Sequence, residues 1–151
     1  MCELFKKELM SFLSSIIGYL TIVVFLIVNG LFLWVVNGES NVFDYGVAGL
    51  DGLFVLAPWV FLFLIPAITM KTFAEEKKNG TIALLLTKPL SDVAIICAKF
   101  LAGLTLVVIS VLPTMIYIFA VYQLGLPKGN LDLGGIMGSY IGLIFLGAIF
   151  V

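Results

Sequence analysis

Four stretches of this sequence are too long and too apolar for anything but membrane crossings. They are Ile16–Val36, Leu53–Met70, about Phe100–Gln123, and a run that starts near Gly135 and is still apolar at Val151. An α-helix rises 1.5 Å per residue, so roughly 20 apolar residues cross about 30 Å of hydrocarbon. The runs are continuously apolar rather than alternating, which argues for helices and against barrel strands. The expected fold is all-α, a polytopic membrane helical bundle with spans at about 16–36, 53–72, 96–123 and 135–151. Composition agrees: of 151 residues, 62% are hydrophobic and 11% charged, whereas a soluble domain carries about a quarter charged. The last run reaches Val151 with no polar stop, so the sequence is expected to be the N-terminal part of a longer protein.

Lysine placement orients the spans. Lys6 and Lys7 precede the first run, and the first connection holds Glu39, Asp44 and Asp51 without a lysine. The second connection holds Lys71, Lys77, Lys78, Lys88 and Lys99, and the third only Lys128 against Asp132. Basic residues mark the cytoplasmic side. The N-terminus and second connection are therefore expected to be cytoplasmic, with the first and third connections outside. No small-residue cleavage site follows the first run, so a cleaved leader is not expected. Instead Phe5, Leu9, Phe12, Leu13 and Ile16 fall at helical spacing, with Lys6, Lys7 and Ser14 away from them. This pattern predicts an amphipathic helix over about 3–14, lying in the membrane interface or simply extending the first span.

The second connection contains "FAEEKKNGTIALLLTKPLS", Phe73–Ser91. Four adjacent charges, Glu75, Glu76, Lys77 and Lys78, would each cost about 2.5–3.5 kcal/mol at the bilayer centre, so the second helix must leave the membrane here. Lysines followed by Asn79-Gly80 suit a helix C-terminus. Thr81 can cap a short helix, Ile82–Thr87, which Pro89 ends, and Ser91-Asp92 can start the next long one. The "IALLL" patch is then apolar surface rimmed by charge, fit either to dock a partner or to dip into the lipid interface.

These residues carry a resemblance. "TMKTFAEEKKNGTIALLLTKPLSDVAIICAKF" resembles the cytoplasmic signature of ABC-2 type transporter permeases. Together with "IGYL", "NGLFLWV", "LPTMIYIFAVYQLG" and "GSYIGLIFLGAIFV", it resembles in particular the gliding-motility-associated permeases of that family. The resemblance covers essentially the whole sequence and implies six spans in a bacterial cytoplasmic (inner) membrane. It implies that Thr81–Thr87 is a coupling helix seated on a separate cytoplasmic ABC ATPase subunit. The contacts it implies are Glu75, Glu76, Lys77, Lys78, Gly80, Thr81, Ile82, Leu85 and Leu86. ATP with Mg would bind the ATPase subunit, no cofactor would bind this chain, and a second permease half, identical or different, would complete the transmembrane unit. Ala83 stands where many members of the family carry an acid, so a salt bridge from that position is not carried over.

The remaining signals are weaker. No phosphate-binding G-x-x-x-x-G-K-[ST] loop is present, so ATP hydrolysis is not expected of this chain. A net charge of -1 excludes a basic nucleic-acid footprint. Cys2 and Cys97 suggest neither a disulfide framework nor a metal site. No Asp, Glu, Lys or His falls inside the four apolar runs, which argues against an ion-coupled transporter. Gly134, Gly138 and Gly142 recur every fourth residue and predict close helix packing, within the chain before between chains. Asn29 is expected to face a neighbouring helix. Gly103, Ser110, Thr114 and Tyr117 form a mildly polar stripe that packs against a helix or borders a translocation path. Pro58 and Pro66 are expected to kink the second span. The rival to a permease is a non-transporting membrane scaffold, which needs spans and a docking loop but no rigid element aimed at an ATPase.

Overall fold

The computed structural model describes residues 2–44, 49–78, 92–125 and 131–151. They form helices α1 (Cys2–Ser14), α2 (Ile16–Trp34), α3 (Asp51–Lys78), α4 (Asp92–Val111), a 3-10 turn (Leu112–Thr114), α5 (Met115–Leu124) and α6 (Leu133–Phe150). Among the described residues there is no strand. Four segments are long and apolar enough to cross a membrane: Ile16–Trp34, Asp51–Met70, Val93–Leu124 and Leu133–Phe150. The fold is an all-α polytopic membrane bundle.

The buried positions of α2 are Gly18, Thr21, Phe25, Asn29 and Leu33, a spacing of three and four that sets one face inward. Tyr19, Leu20, Val23, Ile27 and Leu31 are exposed, as side chains facing lipid should be. At the centre, Phe25 stacks on Phe61 of α3 with ring centroids 4.7 Å apart. Leu33, Leu53, Ala57, Val107, Val111, Tyr140 and Leu143 close the core around that pair.

α1 meets α2 at an elbow. Ser15 is extended (φ -82°, ψ 135°), and its side chain accepts a hydrogen bond from the Ile17 backbone N–H, so a new helix starts there with its own cap. The Phe12 carbonyl oxygen lies so near Gly18 that a Cβ there would collide with it. Because the helix restarts, the apolar face of α1 does not continue to Ile16, which is 83% exposed on α2. α1 packs more extensively on α4 than on α2, while α3 packs on α2 and α6.

α3 has 28 residues and is therefore about 42 Å long, well beyond one hydrocarbon thickness. It runs as unbroken α-helix through Pro58 and Pro66. Regular α-helical structure is instead interrupted at Pro113 in the third span, where 112–114 tighten to a 3-10 turn. Proline lacks the N–H that would bond four residues back, and its ring crowds the preceding turn.

The glycines separate by environment. Gly18→Ala forces the elbow apart and should cost about 1–3 kcal/mol. Gly138→Ala, where nothing among the described residues lies within 4 Å of an added Cβ, should be neutral or stabilising by up to about 1 kcal/mol through helix propensity. Thermal unfolding in detergent should show a lowered midpoint for the first variant only.

Candidate functional site

Two regions carry the residues singled out from the sequence: the emergent end of α3 and the interior of the third span. At the first, α3 continues past Met70 to Lys78, and the Lys77 and Lys78 side chains are exposed in its last turn. Cations at a helix C-terminus face the carbonyl end of the dipole. Glu75 and Glu76 belong to the same helix. Gly80, Thr81, Ile82, Leu85 and Leu86 lie outside the described residues, as does the rest of 79–91.

In the third span, the Ser110 hydroxyl is buried and donates to the Leu106 carbonyl at 2.9 Å. The tightened turn gives the Met115 N–H to the Leu112 carbonyl, and the Thr114 hydroxyl supplies the Val111 carbonyl in its place at 2.6 Å. Tyr140 of α6 reaches the same point: its hydroxyl donates to the Thr114 carbonyl at 3.0 Å and lies 3.1 Å from Thr114 Oγ1. Tyr117 is half-buried against Trp34, its ring 6.0 Å away edge-on. Thus Ser110 and Thr114 face the interior, whereas Tyr117 packs between α5 and the end of α2.

Between α1, α2, α3, α4 and the end of α6 lies a cavity of about 20 Å³ bordered by Phe12, Thr21, Phe61, Thr69, Gly103 and Ser110 among others. Its hydroxyls are already engaged: Thr21 donates to the Ile17 carbonyl at 2.7 Å, Thr69 to Ile65 at 3.2 Å and Ser110 to Leu106 at 2.9 Å. The space is large enough for a water or a methyl group but far below the few hundred Å³ of a ligand pocket. Of the polar stripe, Gly103 and Ser110 border this small cavity. Among the described residues no group of three or more His, Cys, Asp or Glu side chains is placed to hold a metal ion.

The packing residues divide. Asn29 is 1% exposed; its Nδ2 donates to the Phe25 carbonyl at 2.7 Å, while its Oδ1 has no hydrogen-bond partner among the described residues. Among the described residues, Gly138 and Gly142 have nothing within 4 Å of an added Cβ, and Gly134 touches only its own helix cap, Asp132. Close approach within the chain falls instead on Gly147, 2.6 Å from Val107 by the same measure, and on Gly103, 2.7 Å from Val151.

One pair corrects the sequence expectation. Lys99 lies inside the third span, Val93–Leu124, with its side chain 9% exposed and its Nζ 3.3 Å from Glu8 Oε2. An apolar window drawn from Phe100 leaves this lysine just outside, which is why the spans looked free of ionisable groups. Glu8 is itself 3% exposed, between Phe5 and Phe12 on the face that α1 turns inward. A lone acid flanked by aromatics on an apolar face was the available signal.

The geometry defines a class: a multi-pass α-helical membrane protein whose second span is drawn out beyond the bilayer into a charged end. Residues 36–151 match the family described as ABC-2 family transporter protein, and the chain belongs to that family. It is thus a membrane permease component of an ABC transporter, not catalytic itself, and the family implies a partner ATPase subunit. The matched region covers α3 to α6, while α1 and α2 precede it. No curated protein and no solved structure matches the chain.

Tyr140→Phe removes the hydroxyl that ties α6 to the break in the third span. It should lower stability by about 1–2 kcal/mol, as for one buried hydrogen bond in a membrane bundle. Tyr122→Phe, at a 44% exposed position, should leave the unfolding midpoint in detergent unchanged.

Proposed function

We propose that this chain is the membrane-spanning subunit of an ATP-driven ABC-2 exporter associated with gliding motility, coupled to a separate cytoplasmic ATPase through residues 75–90. The observation that carries this reading is the junction of the family match with α3. The second span is one continuous helix from Asp51 to Lys78, and α4 starts at Asp92, so the connection between them is attached to a long helix at each end. A displacement there enters the membrane through rigid elements rather than slack chain. Glu75, Glu76, Lys77 and Lys78 would orient the docking, while Gly80, Thr81, Ile82, Leu85 and Leu86 would supply the turn and the buried apolar contact. ATP with Mg would be held by the ATPase subunit, and a second permease half would complete the translocation path. α1 would lie in the cytoplasmic interface of a bacterial inner membrane, and the four spans would be four of six.

Two experiments test this. Wild-type chain should co-purify with its ATPase subunit in detergent, and Leu85→Asp with Leu86→Asp should abolish co-purification. A double variant that binds equally well moves the protein to the scaffold reading. For orientation, Lys77→Cys should react with an impermeant maleimide only in inside-out vesicles and Glu39→Cys only in right-side-out vesicles. The reverse pattern would invert the topology.

A further inference from the structure

The Glu8–Lys99 pair is unusual in its place. Both side chains are removed from solvent, Glu8 4% and Lys99 9% exposed, on two helices 91 residues apart in sequence. The Glu8 carboxylate is bracketed: Lys99 Nζ stands 3.3 Å from Oε2, and Lys7 Nζ, on an exposed side chain, 3.6 Å from Oε1. Oε1 accepts no hydrogen bond among the described residues. Taking two charges out of water is expensive and is not a cheap way to gain stability; where such pairs persist, fixing one register is their best-attested use. An ionisable residue within a span is by default a functional feature.

The position suggests which function. α1 is covalently joined to α2, yet a single extended residue, Ser15, makes that joint, and α1 lies mainly along α4. Phe5 and Phe12 supply apolar contact, which by itself does not fix a register. A buried charge pair resists sliding, because drawing Glu8 and Lys99 apart gives up their direct contact where little water can replace it. Lys99 sits about two turns into α4, close to the end where the 79–91 connection joins it.

We infer that the Glu8–Lys99 pair yokes α1 to the base of α4, so that a displacement entering α4 from the connecting segment is carried to α1 rather than lost at the α1–α4 interface. Glu8 and Lys99 are positioning residues in this account: they touch no substrate or nucleotide, and they act through the helices they join. The inference rests on the coupling reading above.

The test uses the full-length chain with its ATPase subunit in vesicles, with Cys2 and Cys97 replaced by serine and alanine. One reporter cysteine is placed at a time: Val93→Cys at the base of α4, 69% exposed, or Ser11→Cys on the exposed face of α1. Maleimide labelling is measured with and without ATP and Mg. With the native pair, both reporters should change rate on adding nucleotide by about fivefold or more, the lower end of ordinary site-to-site coupling. In the uncharged pair Glu8→Gln with Lys99→Met, which removes both charges together, Val93→Cys should keep its response and Ser11→Cys should lose it. The exchanged pair Glu8→Lys with Lys99→Glu should restore the Ser11→Cys response. A Ser11→Cys response that survives in the uncharged pair, or that the exchange does not restore, overturns the yoke and leaves the coupling reading standing. No response at either reporter with the native pair overturns the coupling reading, and the yoke with it.

Discussion

Hydrocarbon supplies no hydrogen bonds to a peptide group, and the shape of this bundle follows from that. An uninterrupted helix satisfies itself, so each departure from regular helix must bring its own partner. At Ser15 the partner is the serine side chain on the Ile17 N–H. At Pro113 the missing N–H and the tightened turn divert the Met115 amide, and the Thr114 hydroxyl takes up the Val111 carbonyl. Tyr140 then crosses from α6 to the same turn. The irregular point of the third span is therefore also where the fourth span is tied to it, and one constraint produces both.

The same constraint sorts the polar residues. Thr21, Thr69, Thr105 and Ser110 all donate to the carbonyl one turn back on their own helix. They are polar in sequence but offer no hydroxyl hydrogen to a neighbour. This is why Ser110, in the stripe on the third span that looks like the border of a path, brings no free hydroxyl hydrogen to the small cavity it lines. Asn29 cannot complete the same arrangement, since a single backbone carbonyl satisfies its amide nitrogen and leaves its oxygen without a partner among the described residues.

Much of this was legible because membrane spans are read from length and hydropathy, which do not depend on what packs against what. The elongation of α3 was legible too, since charges at 75–78 cannot remain in lipid. What sequence could not resolve were choices decided by neighbours. Pro58, Pro66 and Pro113 are alike as residues, yet regular helix gives way only at Pro113. Gly134, Gly138 and Gly142 have the spacing of a packing motif, but the contact falls on Gly147, because α4 presents Val107 there. The Glu8–Lys99 pair was missed for a different reason. The apolar run was taken to begin at Phe100, one residue past the lysine, and a partner 91 residues away leaves no local trace.

The placement of that pair bears on why α1 carries an acid at all. With Phe5, Leu9, Phe12 and Leu13 on one side, α1 has enough apolar surface to lie along a bundle or in a lipid interface, and leucine in place of Glu8 would add to that surface. Apolar contact alone would leave several nearly equivalent registers along α4, each offset by one helical turn. A carboxylate whose partner on α4 is Lys99 favours one of those registers, much as a single polar residue fixes the register of a coiled coil. The cost is a pair of desolvated charges near the end of a membrane span. The gain is that α1, tied to α2 by one extended residue, takes its position from α4.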